Sequence, residues 1–171
     1  MDLNEQPNRK ALRLKGFDYS STGVYFITIC TQNRRCMLSN VVGVDVLDGP
    51  FVELAPHGKI ADKIINQLDD FYENISVDRY VIMPNHIHLL LFVQANGPSR
   101  TSAPTSKQHS TVSRFVSTFK RFCNKEYGEN MWQSHFYDHI IRNREDYEAH
   151  VRYILENPIQ WCFDELYSGN S

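Results

Sequence analysis

Residues 77–93 hold two β-prone apolar runs, Val77 to Ile82 and His86 to Val93, separated only by Met83-Pro84-Asn85. Proline has no amide hydrogen to give to a ladder and asparagine favours turns, so the break reads as a tight connection between two paired strands. A chain with such a pair at its centre must build an antiparallel sheet and cover its apolar side. The second run carries two imidazoles, His86 and His88, with Ile87 between them. Side chains alternate across a strand, so both histidines leave the sheet on one face while Ile87 leaves on the other. Two histidines on one face directly after a turn can share a metal ion; a pair of half-buried structural histidines is the plainer alternative.

The rest of the chain supplies partners for that pair. Residues 23–31, rich in β-branched and aromatic side chains, predict a first strand, and 41–52, with glycines and alternating valines, a short irregular or hairpin piece. Pro56 opens an amphipathic helix in which Ile60, Ile64, Ile65 and Leu68 recur at helical spacing and Phe71 and Tyr72 close the stripe. A second helix has Val112, Phe115, Val116, Phe119 and Phe122 as its inner stripe and ends at Gly128. Residues 135–142 form a fourth strand, and 145–156 a third helix stopped before Pro158. Strand, helix, strand, strand, helix, strand, with an added helix, predicts an α+β fold of the ferredoxin-like sandwich kind, its antiparallel sheet carrying helices on one face. One domain spans 1–171, with a flexible basic N-terminal arm over 1–20 and a flexible polar loop over 94–107.

Charge and cysteine usage narrow the function classes. The formal net charge is -2, which excludes a uniformly basic coat, but the distribution is uneven. Acidic residues crowd the middle of the chain, while Arg9, Lys10, Arg13 and Lys15, then Arg114, Lys120, Arg121 and Lys125, then Arg142 and Arg144 form basic groups. Cys30, Cys36, Cys123 and Cys162 contain no C-x-x-C pair and read as reduced thiols. With no run of about 18 apolar residues and no basic-then-apolar start, a cytoplasmic location without a membrane partner is expected. No glycine-rich phosphate loop of the G-x-x-x-x-G-K-[ST] type occurs, so no ATP-driven step is implied.

The third helix carries one tyrosine on its core face and one off it, and on the residues alone the outward one reads first as a surface or groove side chain. On a helical wheel Tyr147, Val151, Ile154, Leu155 and Pro158 share one sector, the core face. Tyr153 and Asn157 lie one turn apart off that sector, with Asp146 and His150 beside them. Tyr153 is therefore expected to face out of the core. Packing accounts for Tyr147, whereas nothing in the spacing excludes Tyr137 from the same role.

Three motifs in this order resemble one family: Met-Pro-Asn-His-Ile-His-Leu-Leu at 83–90, Trp-Gln followed by Phe-Tyr-Asp-His-Ile-Ile-Arg across 132–142, and Tyr-Ile-Leu-Glu-Asn-Pro at 153–158. The chain is similar over most of its length to the single-tyrosine HUH transposases of the insertion-sequence kind, especially the REP-associated tyrosine transposases. The resemblance implies metal-dependent cleavage and rejoining of single-stranded DNA through a 5′-phosphotyrosine intermediate, in DNA transposition or mobilisation of a REP-type element. It implies Tyr153 as catalytic nucleophile on the added C-terminal helix, His86, His88 and Asn157 as ligands of a divalent ion, Mg2+ or Mn2+, and a DNA partner with hairpin or inverted-repeat structure. Insertion-sequence members usually carry glutamine where this chain has the shorter Asn157. Arg114, Lys120, Arg121, Lys125, Arg142 and Arg144 are then the expected DNA contacts, with a merely solvated helix face as the alternative. Monomer and homodimer both stay open. The rival function is a non-catalytic ferredoxin-like module that binds single-stranded nucleic acid through exposed aromatics.

Overall fold

The computed structural model describes residues 22–43, 49–94 and 111–161. The expected arm at 1–20, residues 95–107 of the expected loop, and Cys162 lie outside them. The elements run β1 (Gly23–Cys30), β2 (Ser39–Val42), β3 (Phe51–Leu54), α1 (Pro56–Phe71), β4 (Ile75–Ile82), β5 (His86–Val93), α2 (Thr111–Tyr127), β6 (Tyr137–Ile141) and α3 (Arg144–Trp161). Four strands pair antiparallel in the order β4-β5-β1-β6, and β2 pairs with β3 in a separate hairpin. Leaving that hairpin aside, this is the expected ferredoxin-like α+β arrangement.

Alternation along the strands sorts the apolar side chains into two layers. Tyr25, Ile27 and Ile29 of β1 and Ile87, Leu89, Leu91 and Val93 of β5 meet Ala61, Ile64, Ile65 and Leu68 of α1 and Val112, Phe115, Val116 and Phe119 of α2. On the opposite face Phe26 and Leu90 meet Ile154 of α3, flanked by Tyr147 and Val151. The added helix thus lies across the face that carries the histidines. A bulge between Val77 and Arg79 in β4 takes Asp78 out of the ladder, and Asp78 Oδ2 accepts a 2.6 Å hydrogen bond from the Tyr147 hydroxyl, tying the start of α3 to the sheet edge.

Several expected boundaries and stripes move. Phe71 and Leu155 are 74% and 63% exposed, and Phe122 is also exposed, so none of them belongs to the core. The third helix does not stop before Pro158 but continues to Trp161. Burial explains this: Trp161 packs with Val41 and Met83 in a third small cluster, and that contact outweighs the one helical hydrogen bond proline removes. The last strand begins at Tyr137 rather than 135, because Lys120 Nζ donates to the carbonyls of Gln133, Ser134 and His135 at 2.7, 3.4 and 3.1 Å and turns them out of the ladder. Among the described residues no helix is long and apolar enough to cross a membrane.

Candidate active site

The strand register assembles the site. His88 stands opposite Thr28 and His86 opposite Cys30 across β1 and β5, while β6 brings Tyr137 beside Thr28 and His139 beside Phe26. All of these side chains share the face covered by α3. His88 is buried; its Nδ1 shares a 2.8 Å hydrogen bond with Thr28 Oγ1, and its buried Nε2 has no hydrogen-bond partner among the described residues. Burial first, then the positive charges of His86, His150 and Arg34, push its pKa down to about 3, so the ring is a neutral imidazole. His86 lies beside it, ring centroids 4.5 Å apart, with Nδ1 2.7 Å from Asn85 Oδ1. An amide oxygen only accepts, so the hydrogen of this bond is carried by His86 Nδ1. A neutral imidazole with an orphaned buried nitrogen, beside a second imidazole whose tautomer is set from behind, is a donor set that fits a divalent ion.

α3 brings the third component. Tyr153 is 40% exposed, and its ring stands edge-on to His88 at 5.1 Å and to Phe26 at 5.9 Å. Asn157 follows one turn later and is buried; Trp161, a further turn on, lies 6.0 Å from the His86 ring. An open cavity of about 720 Å³ is lined by His86, His88, Tyr153, His150, Arg34 and Tyr137, with Phe26, Thr28 and Cys30 as its floor; Asn157 is not part of that lining. Tyr137, half exposed on β6, reaches the same cavity, whereas the Tyr147 hydroxyl is held by Asp78, whose hydrogen bond raises the phenol pKa.

The expected basic residues divide. Arg114, Arg121 and Lys125 are exposed on α2, which packs on the face of the sheet away from the cavity. Arg121 lies over its neighbour Phe122, 5.3 Å from the ring centroid. Lys120 is turned inward to the three carbonyls, and burial pushes its pKa down to about 8. Arg142 and Arg144 are exposed where β6 gives way to α3, and Arg144 pairs with Glu148 at 2.6 Å. Sequence reasoning missed Arg34, which reaches the cavity from the turn after β1, where Asn33 and Arg34 adopt φ of 55° and 54°. Asn33 in that turn was the available signal. Sequence reasoning named His150 only as a neighbour able to assist the Tyr153 phenol and gave no role to His139 or Asp146; potential ligand atoms of His139, Asp146 and His150 lie within 4.8 Å of one another and could hold a metal ion.

No family model matches the chain. It is 30% identical over 174 residues to an uncharacterized protein of Haemophilus influenzae, covering 94% of this chain and 93% of that protein. It is 28% identical over 142 residues to the REP-associated tyrosine transposase of Escherichia coli, covering 83% of this chain and 70% of that protein. Its fold is similar to that of a solved REP-associated tyrosine transposase bound to a REP hairpin, with a TM-score of 0.60 at 21% identity over 85% of this chain and 72% of the other.

Proposed function

We propose, on the premise that this chain belongs to the REP-associated tyrosine transposases, that it cuts and rejoins single-stranded DNA in transposition. Tyr153 is the attacking group, and His86, His88 and Asn157 hold a divalent ion, Mg2+ or Mn2+. The substrate is a strand that carries hairpin or inverted-repeat structure. The observation that carries this reading is the approach of the Tyr153 ring to within 5.1 Å of His88, a buried imidazole with an unused nitrogen, in an open cavity.

A DNA phosphodiester is anionic and resists an anionic nucleophile, so its charge must be neutralised and its geometry fixed. The divalent ion supplies that neutralisation when bound. The chain's own residues do the rest. Phe26 and His88 hold the phenol ring from the side, Thr28 sets the orientation of His88, and Arg34 adds positive charge at the rim. Tyr153 Oη bonds to phosphorus and the 3′ oxygen leaves, giving a 5′-phosphotyrosine and a 3′-hydroxyl. Because the phosphotyrosine conserves the bond energy, a 3′-hydroxyl reverses the step without ATP. Asn157, buried one helical turn after Tyr153, would supply the third ligand. Arg142 and Arg144 would contact the cut strand, and Arg114, Arg121 and Lys125 the flanking hairpin, whereas Lys120, spent on the carbonyls of 133–135, is withdrawn from that set.

Covalent trapping tests the reading. A single-stranded oligonucleotide carrying a hairpin, chosen from inverted repeats found by sequencing the DNA that flanks the gene and labelled at its 3′ end, should become protein-linked with the parent chain. Tyr153→Phe removes one hydroxyl and should abolish capture at unchanged melting temperature, while Tyr137→Phe should still be captured. A mere binder gives no protein-linked DNA, and a labelled peptide containing Tyr137 or Tyr147 instead of Tyr153 would overturn the assignment.

A further inference from the structure

Asp146 sits in the first turn of α3, its main-chain N–H donating to Asn143 Oδ1 at 2.8 Å. Its carboxylate accepts from the Arg142 main-chain N–H at 3.0 Å, from His139 Nε2 at 3.0 and 3.1 Å, and faces His150 Nδ1 at 3.1 Å. Burial alone would raise its pKa, but the Arg142 N–H and the His139 ring outweigh that and hold it below the usual range. Asp146 is therefore an ionised acceptor, and the ring nitrogens turned toward it carry hydrogen. His150 Nδ1 also donates to the Asp146 main-chain carbonyl at 2.8 Å, which fixes that tautomer a second time. A neutral His150 then has its lone pair on Nε2, and no described residue is bonded to that atom.

His150 and Tyr153 stand three residues apart on α3, the spacing at which helical side chains are neighbours, and both line the cavity. The Phe26 ring touches both, at 4.6 Å from His150 and 5.9 Å from Tyr153. His139 stacks on His150 at 4.8 Å and closes the far side. A cation held by His139, Asp146 and His150 would have to displace the hydrogens these rings already give to Asp146, one of them shared with the main chain. The hydrogen-bond pattern favours a proton path.

We propose that His150 takes the Tyr153 phenol proton during attack and returns it when the link to DNA is reversed, with Asp146 positioning its ring. The inference rests on the reading of Tyr153 as nucleophile. In the forward step the Oη–H proton passes to His150 Nε2 and the Oη electron pair forms the bond to phosphorus. The P–O3′ bond breaks, and the departing oxygen takes a proton from water. In reverse, a 3′-hydroxyl attacks phosphorus and releases its proton to water, while the Tyr–O–P bond breaks and Oη recovers its proton from the imidazolium.

The experiment measures single-turnover adduct formation by the full-length chain at saturating 3′-labelled hairpin oligonucleotide. His150→Ala should slow it by about 100-fold or more, the usual contribution of a positioned general base, with DNA affinity and melting temperature unchanged. Added imidazole should restore part of the rate in His150→Ala and none in Tyr153→Phe. His150→Gln can still donate toward Asp146 but has no basic nitrogen, so it guards against a folding defect and should be equally slow. Asp146→Asn should lower the rate less, without rescue by imidazole and without a change in DNA affinity. A parent rate in either His150 variant, or a slow His150→Ala that imidazole does not rescue, would overturn the proposal. So would loss of a tightly bound ion in Asp146→Asn by metal analysis. If the parent chain itself forms no adduct, the Tyr153 reading fails, whereas adduct formation at equal rates with and without His150 sinks only the proton path.

Discussion

Thr28 and His88 are 60 residues apart in the chain and 2.8 Å apart in space. Periodicity could put His86 and His88 on one strand face and turn Tyr153 out of the core, because each follows from the repeat of a single strand or helix, but it misplaced Asn157, which is buried and outside the cavity lining. It could not reveal Thr28 or Arg34, whose roles depend on which strand lies beside which. Thr28→Val keeps shape and β-preference but removes the partner of His88 Nδ1, so Mn2+ affinity should fall about 10–100-fold with the fold intact, as read by calorimetry. Undiminished affinity would show that Thr28 only packs. His86→Ala and His88→Ala should abolish cleavage in metal-limited buffer while hairpin binding survives. A helix wheel turns Lys120 outward because it cannot see the irregular carbonyls of 133–135 that receive it. Its folded pKa of about 8 lies below the ordinary 10.5, so between these values the unfolded chain holds more protons. Stability contributed by this group must then rise with pH across that window. Urea unfolding of the parent and Lys120→Met should show the parent gaining on the variant from pH 8 to 10.5; a constant difference would contradict it.

At the level of elements, the existence and type of the main strands and helices were legible, and their ends were not. α3 passes through Pro158 because Trp161 finds a buried seat beyond it, a gain no local rule contains. Phe71 and Phe122 match the helical repeat yet lie outside the core, because α1 and α2 pack on each other and on the sheet through a narrower stripe than the wheel allows. α1 is also seated by a close approach: a Cβ on Gly58 would fall 2.0 Å from the Leu38 carbonyl oxygen. Gly58→Ala must push α1 off the segment leading into β2 and should destabilise by about 1–3 kcal/mol, the usual range for overpacking. A variant with the parent's denaturation midpoint would show that the helix yields without strain.

Taken whole, the molecule has one face built for the cavity and another, across the sheet, that carries Arg114, Arg121 and Lys125. If the hairpin wraps to that second face, Arg121→Ala with Lys125→Ala should weaken binding and reduce the logarithmic salt slope by about 0.9 for each duplex phosphate no longer neutralised. Cleavage at saturating DNA should persist, and an unchanged slope would mark the face as solvated. α3 meanwhile rests on the sheet of its own chain, with Tyr153 over the histidines of the same polypeptide. Mixing His88→Ala chains with Tyr153→Phe chains should therefore restore nothing, since neither can lend the other its missing half. With Tyr153 as the proposed nucleophile, each molecule would hold a single covalent DNA end, and joining two cut ends would become a sequential event whose rate follows the concentration of the incoming 3′-hydroxyl.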